Sequence, residues 1–214
     1  MIGKITYMVN TNKEIRSAII GMVCGDGFIS KNSDLRINHC LRQKEYLEYK
    51  KNILQHKQLH EIKLVDYVCH GYPGVRLCTR VRPIYRILRK VFYPNGGKKI
   101  ISRKILNYLT PVGLAIWYQD DGGLSAKKRD GKIRSYEVFL NTHLTKEDNQ
   151  IIIDYFKEKW DIRWTQVKNK GWYRLRMGTR EGRKFVKIIK DHIVQCMKYK
   201  VFPLLETAPD TENR

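Results

Sequence analysis

The sequence is poor in acidic residues relative to basic ones, and this imbalance limits its possible partners. Lys and Arg number 42 against 21 Asp and Glu, so the chain of 214 residues carries a formal charge of +21 at pH 7. Self-repulsion of that size destabilises a compact chain unless a polyanion relieves it. Nucleic acid is therefore the leading candidate partner, and an anionic membrane surface is the next.

Long apolar runs and paired cysteines are also missing. No apolar run reaches the roughly 18 residues needed to cross a bilayer, and the basic residues are spread along the chain rather than gathered in one amphipathic helix. The start, from Met1 to Tyr7, lacks the apolar region of a secretory signal. The five cysteines form no C-x-x-C pair, which fits a reducing compartment and argues against structural zinc. We expect an intracellular protein with no membrane association.

What the sequence does have is an internal repeat. The apolar segment Ile19–Gly27 ends in Asp-Gly, and so does the segment Leu114–Gly122. Aligning the two copies places Asp26 on Asp121. A single apolar segment ending in Asp-Gly is often a coincidence. A matching order of elements after both copies makes coincidence a poor explanation here.

Each half of the repeat reads helix, hairpin, helix, hairpin, helix. Polar or glycine-containing turns at 31–34, 70–74, 128–131 and 168–171 separate alternating strands. A basic amphipathic helix follows near 83–91 and again near 180–193. Mixed helices and antiparallel strands of this kind predict an α+β fold. The predicted division is an N-terminal half at 1–95, a linker at 96–110, a C-terminal half at 111–205 and a flexible tail at 206–214.

The repeated aspartates are candidates for chemistry. Each is predicted to lie at a helix C-terminal end, and Gly21 and Gly25 would let a second helix, in the apolar run around Ala115, approach closely. Packing the two ends together would bring Asp26 and Asp121 near each other, which is costly unless cations neutralise them. Two carboxylates beside DNA phosphates make a hard-oxygen site for Mg²⁺. The alternative is that both aspartates only cap turns, which the duplication disfavours.

These two segments resemble the signature helices of the LAGLIDADG homing endonucleases. The single-chain, omega-intron-type members are especially similar, in the segments 107–111, 120–123, 140–142 and 197–200. The second motif departs from the family pattern at Ile116, where glycine is usual, and at Gln119-Asp120. The resemblance implies two pseudo-symmetric αββαββα halves joined through paired motif helices. Each half would place an antiparallel β-saddle in the DNA major groove.

The resemblance also implies a metal site. The penultimate acidic position of the motif matches Asp26 and Asp121, the expected catalytic residues and metal ligands, and motif position favours Asp121 over its neighbour Asp120. Gly25 and Asp120 are further candidate metal ligands. Mg²⁺ is the expected cofactor, with Mn²⁺ able to substitute and Ca²⁺ supporting binding without cleavage.

Two lysines are the other catalytic candidates. The family's basic residue near the end of each half matches Lys99 and Lys200, which the resemblance implies act on the attacking water or the transition state. The neighbouring Lys98 leaves the first assignment open. With 42 Lys and Arg in the chain, most must be solvated surface charges, so position in the repeat is what singles these two out.

Alternation along the strands predicts which side chains face DNA. Leu35 and Ile37 are expected in the core, which turns Arg36 and Asn38 outward, and the same reasoning applies to the other strands. Arg to guanine and Asn to adenine are the expected pairings, with phosphate contact as the alternative for any one residue. The candidate DNA-binding residues are Ser30, Arg36, Asn38, Arg76, Arg80, Lys127, Glu137, Asn141, Lys168, Trp172, Arg174 and Arg176.

The function expected from this resemblance is cleavage of one phosphodiester on each strand of a long double-stranded DNA target. Because the halves differ in their strands, the target should be asymmetric, and because one chain carries both halves, a monomer should suffice. The break would promote homing of an organellar intron or of a bacterial or phage mobile element. The alternatives are an intron RNA maturase with intron RNA as partner, a non-cleaving DNA-binding protein, and a basic interaction protein with no site.

Overall fold

A computed structural model describes residues 12–55 and 62–206. The first half contains α1 (Asn12–Cys24), β1 (Phe28–Ile29), β2 (Leu35–Cys40), α2 (Lys44–Gln55), β3 (Leu64–Cys69), β4 (Tyr72–Cys78) and α3 (Pro83–Phe92). After the short α4 (Arg103–Leu106), the second half contains α5 (Pro111–Asp121), β5 (Gly122–Arg129), β6 (Lys132–Leu144), α6 (Lys146–Trp160), β7 (Thr165–Asn169), β8 (Trp172–Gly178) and α7 (Thr179–Ile189), and α8 (Phe202–Glu206) follows. The predicted order αββαββα is confirmed in both halves.

The two sheets have the same topology. Their strand orders are β1-β2-β4-β3 and β5-β6-β8-β7, and all neighbouring strands are antiparallel. Ile37 pairs with Leu77 in the first sheet, and Leu140 pairs with Leu175 at the equivalent place in the second. All four side chains are buried. The hydrophobic pattern of period two therefore fixes both the register and the buried face of each sheet.

Three of the hairpins close through two-residue turns. His70-Gly71, Asp130-Gly131 and Lys170-Gly171 all have positive φ at both positions. Such turns match the right-handed twist of paired strands, and a glycine at the second position adopts them without strain. The predicted turn at 70–74 was too long, because Tyr72 already belongs to β4 and pairs with Cys69.

One continuous core runs through both halves. Its centre is the packing of α1 against α5, where a Cβ on Gly21 would overlap the main-chain carbonyl of Gly113. The expected close approach at Gly21 is thus confirmed, although the residue it meets lies two positions before Ala115. Ser17 adds a hydrogen bond across this contact, because its Oγ accepts from the main-chain N–H of Thr110 at 2.7 Å.

The predicted linker at 96–110 is structured. It contains α4, whose first turn is capped by the Ser102 hydroxyl, and Ile101, Leu106 and Leu109 are buried in the core. The predicted tail lies outside the described residues from 207 onward, as do residues 1–11 at the start of the chain. Within the parts of the chain that the structure describes, no helix is both long and apolar enough to cross a membrane.

Candidate active site at the paired helix ends

The C-terminal ends of α1 and α5 bring acidic residues of both halves into contact. The main-chain N–H of Asp26 donates to Oδ2 of Asp120 at 3.1 Å. Gly25 makes this approach possible, since a Cβ there would overlap the side chain of Asp120. The small residue of the first motif is therefore needed to admit the carboxylate of the second.

Asp26 presents the accessible carboxylate of the site. Its side chain is 41% exposed, and Oδ2 lies 3.6 Å from Nδ1 of His39. Partial burial and the negative charge of Asp120 raise the pKa of Asp26. A carboxylate in this position gains from an additional cation.

The side chain of Asp120 is buried, and both of its oxygens are hydrogen-bonded. Its side chain has no exposed surface, and Oδ1 lies 2.6 Å from the ammonium of Lys50, whose side chain is also unexposed. The same Oδ1 accepts from the Tyr46 hydroxyl at 2.8 Å, while Oδ2 accepts from the Asp26 amide. Both carboxylate oxygens of Asp120 therefore already have hydrogen-bond partners within the protein.

Asp121 occupies a different environment one residue further along. Its Oδ2 accepts from the indole N–H of Trp117 at 3.3 Å, and its main-chain carbonyl accepts from the side-chain amide of Asn141 at 3.2 Å. Burial, followed by the charges of Asp120 and Asp26, raises the pKa of Asp121 to about 8. A cation beside this carboxyl would oppose the raised pKa and favour the ionised form.

Two lysines, at equivalent places in the two halves, bind the C-terminal ends of α1 and α5. The Lys99 ammonium donates to the main-chain carbonyls of Val23 and Gly25, at 2.7 Å each. The Lys200 ammonium donates to the carbonyls of Gln119 at 2.5 Å and Asp120 at 3.2 Å. A cation at a helix C-terminus is stabilised by the helix dipole.

This geometry separates Lys99 from Lys98. The ammonium of Lys98 lies 4.3 Å from the ring centroid of Trp172, away from the helix ends. Lys99, rather than Lys98, is the structural counterpart of Lys200. Burial lowers the pKa of Lys200, and the three nearby aspartates oppose that shift.

One group of side chains among the described residues has the spacing of a metal site. Ligand atoms of Asp26, His39 and Asp120 all lie within 4.8 Å of one another. His39 is held at both ring nitrogens, however, since Nε2 lies 3.0 Å from the Lys50 ammonium and Nδ1 lies 3.1 Å from Oε1 of Gln43. Burial, followed by the charge of Lys50, lowers the pKa of His39 to about 4, so the ring is neutral. In this group Asp26 alone keeps an accessible ligand oxygen.

Comparison with known proteins decides the family. The sequence profile of the LAGLIDADG DNA endonuclease family matches residues 16–185. The chain belongs to this family. The resemblance read from the two motifs is therefore confirmed.

The individual relatives described next share less than 30% sequence identity with this chain. The chain is 26% identical over 205 residues to Protein RecA of Mycolicibacterium chitae, covering 86% of this chain and 45% of that protein. It is 29% identical over 121 residues to a probable intron-encoded DNA endonuclease 3 of Mycosarcoma maydis, covering 55% of this chain and 85% of the relative. The chain spans about half the length of the RecA relatives it matches.

A solved structure confirms the fold. The homing endonuclease I-WcaI, bound to its DNA recognition sequence, matches with a TM-score of 0.75 and 24% identity. The match covers 88% of this chain and 86% of that one. The predicted α+β architecture of two LAGLIDADG halves is therefore confirmed.

The solvent-facing sides of the LAGLIDADG sheets carry most of the predicted DNA-binding residues. The predicted alternation is confirmed in β2, where Leu35 and Ile37 are buried and Arg36 and Asn38 are exposed. The exposed candidates are Arg36, Asn38, Arg76, Arg80, Lys127, Lys168, Trp172 and Arg176, and the half-buried ones are Glu137, Asn141 and Arg174. Their contact with DNA stays a prediction.

Side chains on each sheet orient one another. In the first sheet, Nε of Arg76 donates to Oδ1 of Asn38 at 2.9 Å. In the second, Glu137 lies 3.3 Å from Arg176, 3.5 Å from Lys127 and 3.8 Å from Arg174. Three cations of the second sheet are therefore gathered around one carboxylate.

Two predicted DNA contacts need a new description. Ser30 is only 6% exposed, because its hydroxyl bonds to the Asp34 carboxylate and accepts from the Asn32 amide inside the turn before β2. Its hydroxyl is thus committed to the turn, and a DNA contact by Ser30 stays a prediction. Asn141 holds the carbonyl of Asp121, so it lies beside the candidate metal site.

Sequence reasoning missed the residues around Asp120. Neither Tyr46 nor His39 belongs to a motif that marks it as a site residue. Lys50 was not singled out at all among the 42 basic residues. One available signal was its position on the apolar face of α2, between the buried Leu47 and Leu54.

Proposed function

We propose that this protein is a site-specific DNA endonuclease that cuts both strands of a long, asymmetric double-stranded target with Mg²⁺. One observation carries the proposal: the ends of α1 and α5 bring the acids of both motifs together, with a lysine at each helix end. Family membership supports the same class of reaction. The intron-encoded relative supports a role in the homing of an intron or mobile element.

The residues present fit a divalent cation. Asp26 offers an accessible carboxylate, and the pKa of Asp121 is raised to about 8 by burial and by the neighbouring acids. A bound cation would offset this excess of negative charge, and carboxylate oxygens are the ligands that Mg²⁺ prefers. We propose Asp26 and Asp121 as the ligands. Such an ion would supply the positive charge that polarises a scissile phosphate and a water molecule.

Two lysines of the protein would complete the catalytic site. Lys99 and Lys200 place positive charge at the two helix ends, where each can stabilise the negative charge that a phosphate gains as water attacks it. Because the carbonyls of Gly25 and Asp120 accept from these lysines, we propose a lysine-holding role for both carbonyls. Metal binding by Gly25 and Asp120 stays the alternative to that role.

DNA recognition would follow from the two sheets. The arginines and lysines on the exposed faces would neutralise phosphates, and the side chains of Arg76, Asn38 and Arg176 would reach base edges. The sheets differ in sequence while sharing one topology, so each would read a different half-site. We propose that a single chain binds the whole target.

Cleavage of a supercoiled plasmid that carries the uninterrupted insertion site tests the proposal. We expect linear product in Mg²⁺, and binding without linear product in Ca²⁺. A plasmid with a scrambled site is the control for specificity. Binding of the site without cutting in Mg²⁺ or Mn²⁺ would contradict the endonuclease and favour a non-cleaving DNA-binding protein. Selective binding of the intron RNA in place of the DNA site would favour a maturase.

A further inference from the structure

The internal repeat is broken at one buried position. Aligning the Lys-Glu pairs that open α2 and α6 places Leu47, Ile53 and Leu54 on the buried residues Asn149, Tyr155 and Phe156. The same alignment places Lys50 on Ile152, and both are completely buried. The first half therefore carries an ammonium group where the second half carries an aliphatic side chain.

Asp120, the partner of Lys50, also differs from the residue at the equivalent position of the repeat. Aligning Asp26 with Asp121 places Asp120 on Gly25, so an acid in the second motif replaces a glycine in the first. Lys50 and Asp120 lie 2.6 Å apart with no exposed side-chain surface. The two departures thus form one ion pair between the halves, and the corresponding positions in the repeat, Ile152 and Gly25, carry no charge.

The fold itself does not account for this pair. Taking two charges out of water is costly, and a buried ion pair is often no more stabilising than apolar residues of similar size. The repeat supplies the comparison within one chain, since the second half has the same topology with isoleucine at this point. A charge pair kept at the helix ends, beside the candidate metal site, therefore points to a function.

The contacts of Asp120 show what the pair can do. Lys50 and the Tyr46 hydroxyl hold Oδ1, at 2.6 and 2.8 Å, and this leaves Oδ2 directed at the main-chain N–H of Asp26. The Tyr46 hydroxyl also reaches the main-chain carbonyl of Ile116 at 3.1 Å, which ties α2 to α5. Through this chain of contacts, a residue of α2 fixes the backbone that presents the accessible Asp26 carboxylate.

We propose that Lys50 is a positioning residue that acts through Asp120 on Asp26 and makes the two catalytic centres unequal. The inference rests on the proposed endonuclease function. The pseudo-twofold of the protein would match the twofold of the duplex, so Asp26 and Asp121 would each serve one strand. Since Gly25 has no side chain with which to hold Asp121, losing the pair should retard one strand alone.

The test replaces both charges at once, because Lys50→Met alone leaves Asp120 buried without its cation. The double variant Lys50→Met with Asp120→Asn is assayed under single-turnover conditions on a target duplex with a different label on each strand. We expect binding in Ca²⁺ within about threefold of the wild type. Loss of a supporting contact to a ligand residue typically costs about 10- to 100-fold, so we expect one strand to be cut that much more slowly. The nicked duplex should accumulate.

A single variant with a smaller change tests the same inference in case the double variant misfolds. Tyr46→Phe removes only the hydroxyl that binds Asp120, and it should slow the same strand by a smaller factor. The matched control is Arg103→Met with Glu158→Gln, which removes an exposed ion pair of the same 2.6 Å length and should leave both strands unchanged.

Equal slowing of both strands in the double variant or in Tyr46→Phe would overturn the inference and reduce the pair to general packing. Normal cutting of both strands would overturn it as well. Either result is compatible with the proposed function as long as the wild-type protein makes double-strand breaks. Failure of the wild type to cut either strand of a site that it binds would instead contradict the endonuclease proposal.

Discussion

The ammonium of Lys200 donates a hydrogen bond of 2.5 Å to the main-chain carbonyl of Gln119, the residue two positions before Asp121. Other contacts hold this arrangement from both sides. The Tyr118 hydroxyl donates to the Lys200 carbonyl at 3.0 Å, and the Gln119 side chain bonds to the main chain of His192 and Val194. These contacts fix the segment 192–200 against the end of α5. The Lys200 ammonium is therefore held beside the acidic residues at that helix end.

Lys99→Met and Lys200→Met should each impair cleavage more than binding. Each lysine is held at a helix end beside the acids, where its charge would act on the reacting phosphate rather than on the DNA backbone at large. We expect the single-turnover cleavage rate to fall by about 10²-fold or more, with affinity in Ca²⁺ within about threefold. Lys98→Met, which removes a neighbouring charge that contacts Trp172, is the matched control and should cut normally. A drop in affinity without a drop in rate would reduce Lys99 or Lys200 to phosphate contacts.

Asp26→Asn and Asp121→Asn should each abolish double-strand cleavage and spare binding in Ca²⁺. Both remove a proposed metal ligand while keeping the size of the side chain. Asp120→Asn should behave differently, because the oxygens of Asp120 bind Lys50, Tyr46 and the Asp26 amide. We expect it to retain measurable nicking of one strand. If Asp121→Asn cuts normally while Asp120→Asn is inactive, the second metal ligand is Asp120 and the assignment from motif position is wrong.

The raised pKa of Asp121 predicts a pH dependence of stability in the absence of metal. Burial raises the pKa of the folded Asp121 carboxyl to about 8, whereas the ordinary pKa of an aspartate, expected in the unfolded chain, is 3.8. The folded protein therefore holds a proton that the unfolded chain releases, so the free energy of unfolding should fall as pH rises from about 4 to 8. Asp121→Asn removes this loss and should be more stable than the wild type at pH 8, by at most about 5 kcal/mol, with a smaller difference at pH 4.

Urea unfolding at both pH values, with EDTA present, measures this effect. Adding Mg²⁺ at pH 8 should stabilise the wild type and leave Asp121→Asn unchanged, since a bound cation stabilises the folded state by mass action. Stability curves that run parallel for the two proteins between pH 4 and 8 would show that Asp121 is ionised without metal.

The fold was largely predictable from the sequence because its signals are local and occur twice. Alternation in β2 and the glycine after His70 each specify a strand face or a turn within a few residues. The motif pair also singled out Asp26 and Asp121 as candidate site residues. These features depend on spacing along the chain, which a sequence shows directly.

The contacts that complete the site could not be read in the same way. Lys50 looks like one more basic residue until the fold sets it against Asp120, which lies 70 positions away in the other half. Ser30 shows the same for a local contact, because its hydroxyl bonds to the carboxylate of Asp34, four residues along the chain. Pairing between halves and competition for hydrogen bonds both need three-dimensional contacts. The sequence held two signals for Lys50, its place on the apolar face of α2 and its alignment with Ile152 in the repeat.

The cluster around Glu137 gives a prediction about specificity. Its carboxylate lies within 4 Å of Arg176, Lys127 and Arg174, so it restrains three cations on the face that would meet DNA. Glu137→Gln should release them to make phosphate contacts. We expect tighter binding to scrambled duplex, a salt slope steeper by about one phosphate equivalent and weaker discrimination in favour of the target.

Asp66→Asn is the matched control for this prediction. Asp66 is 62% exposed in its side chain and pairs with Lys44 at 3.3 Å, so its substitution changes the net charge by the same amount away from the Glu137 cluster. Titrations of target and scrambled duplex at several salt concentrations in Ca²⁺ compare the two variants. An equal gain in non-specific affinity for both would mean that net charge alone is responsible. A loss of discrimination confined to Glu137→Gln would mean that this carboxylate fixes the arginines that read the second half-site.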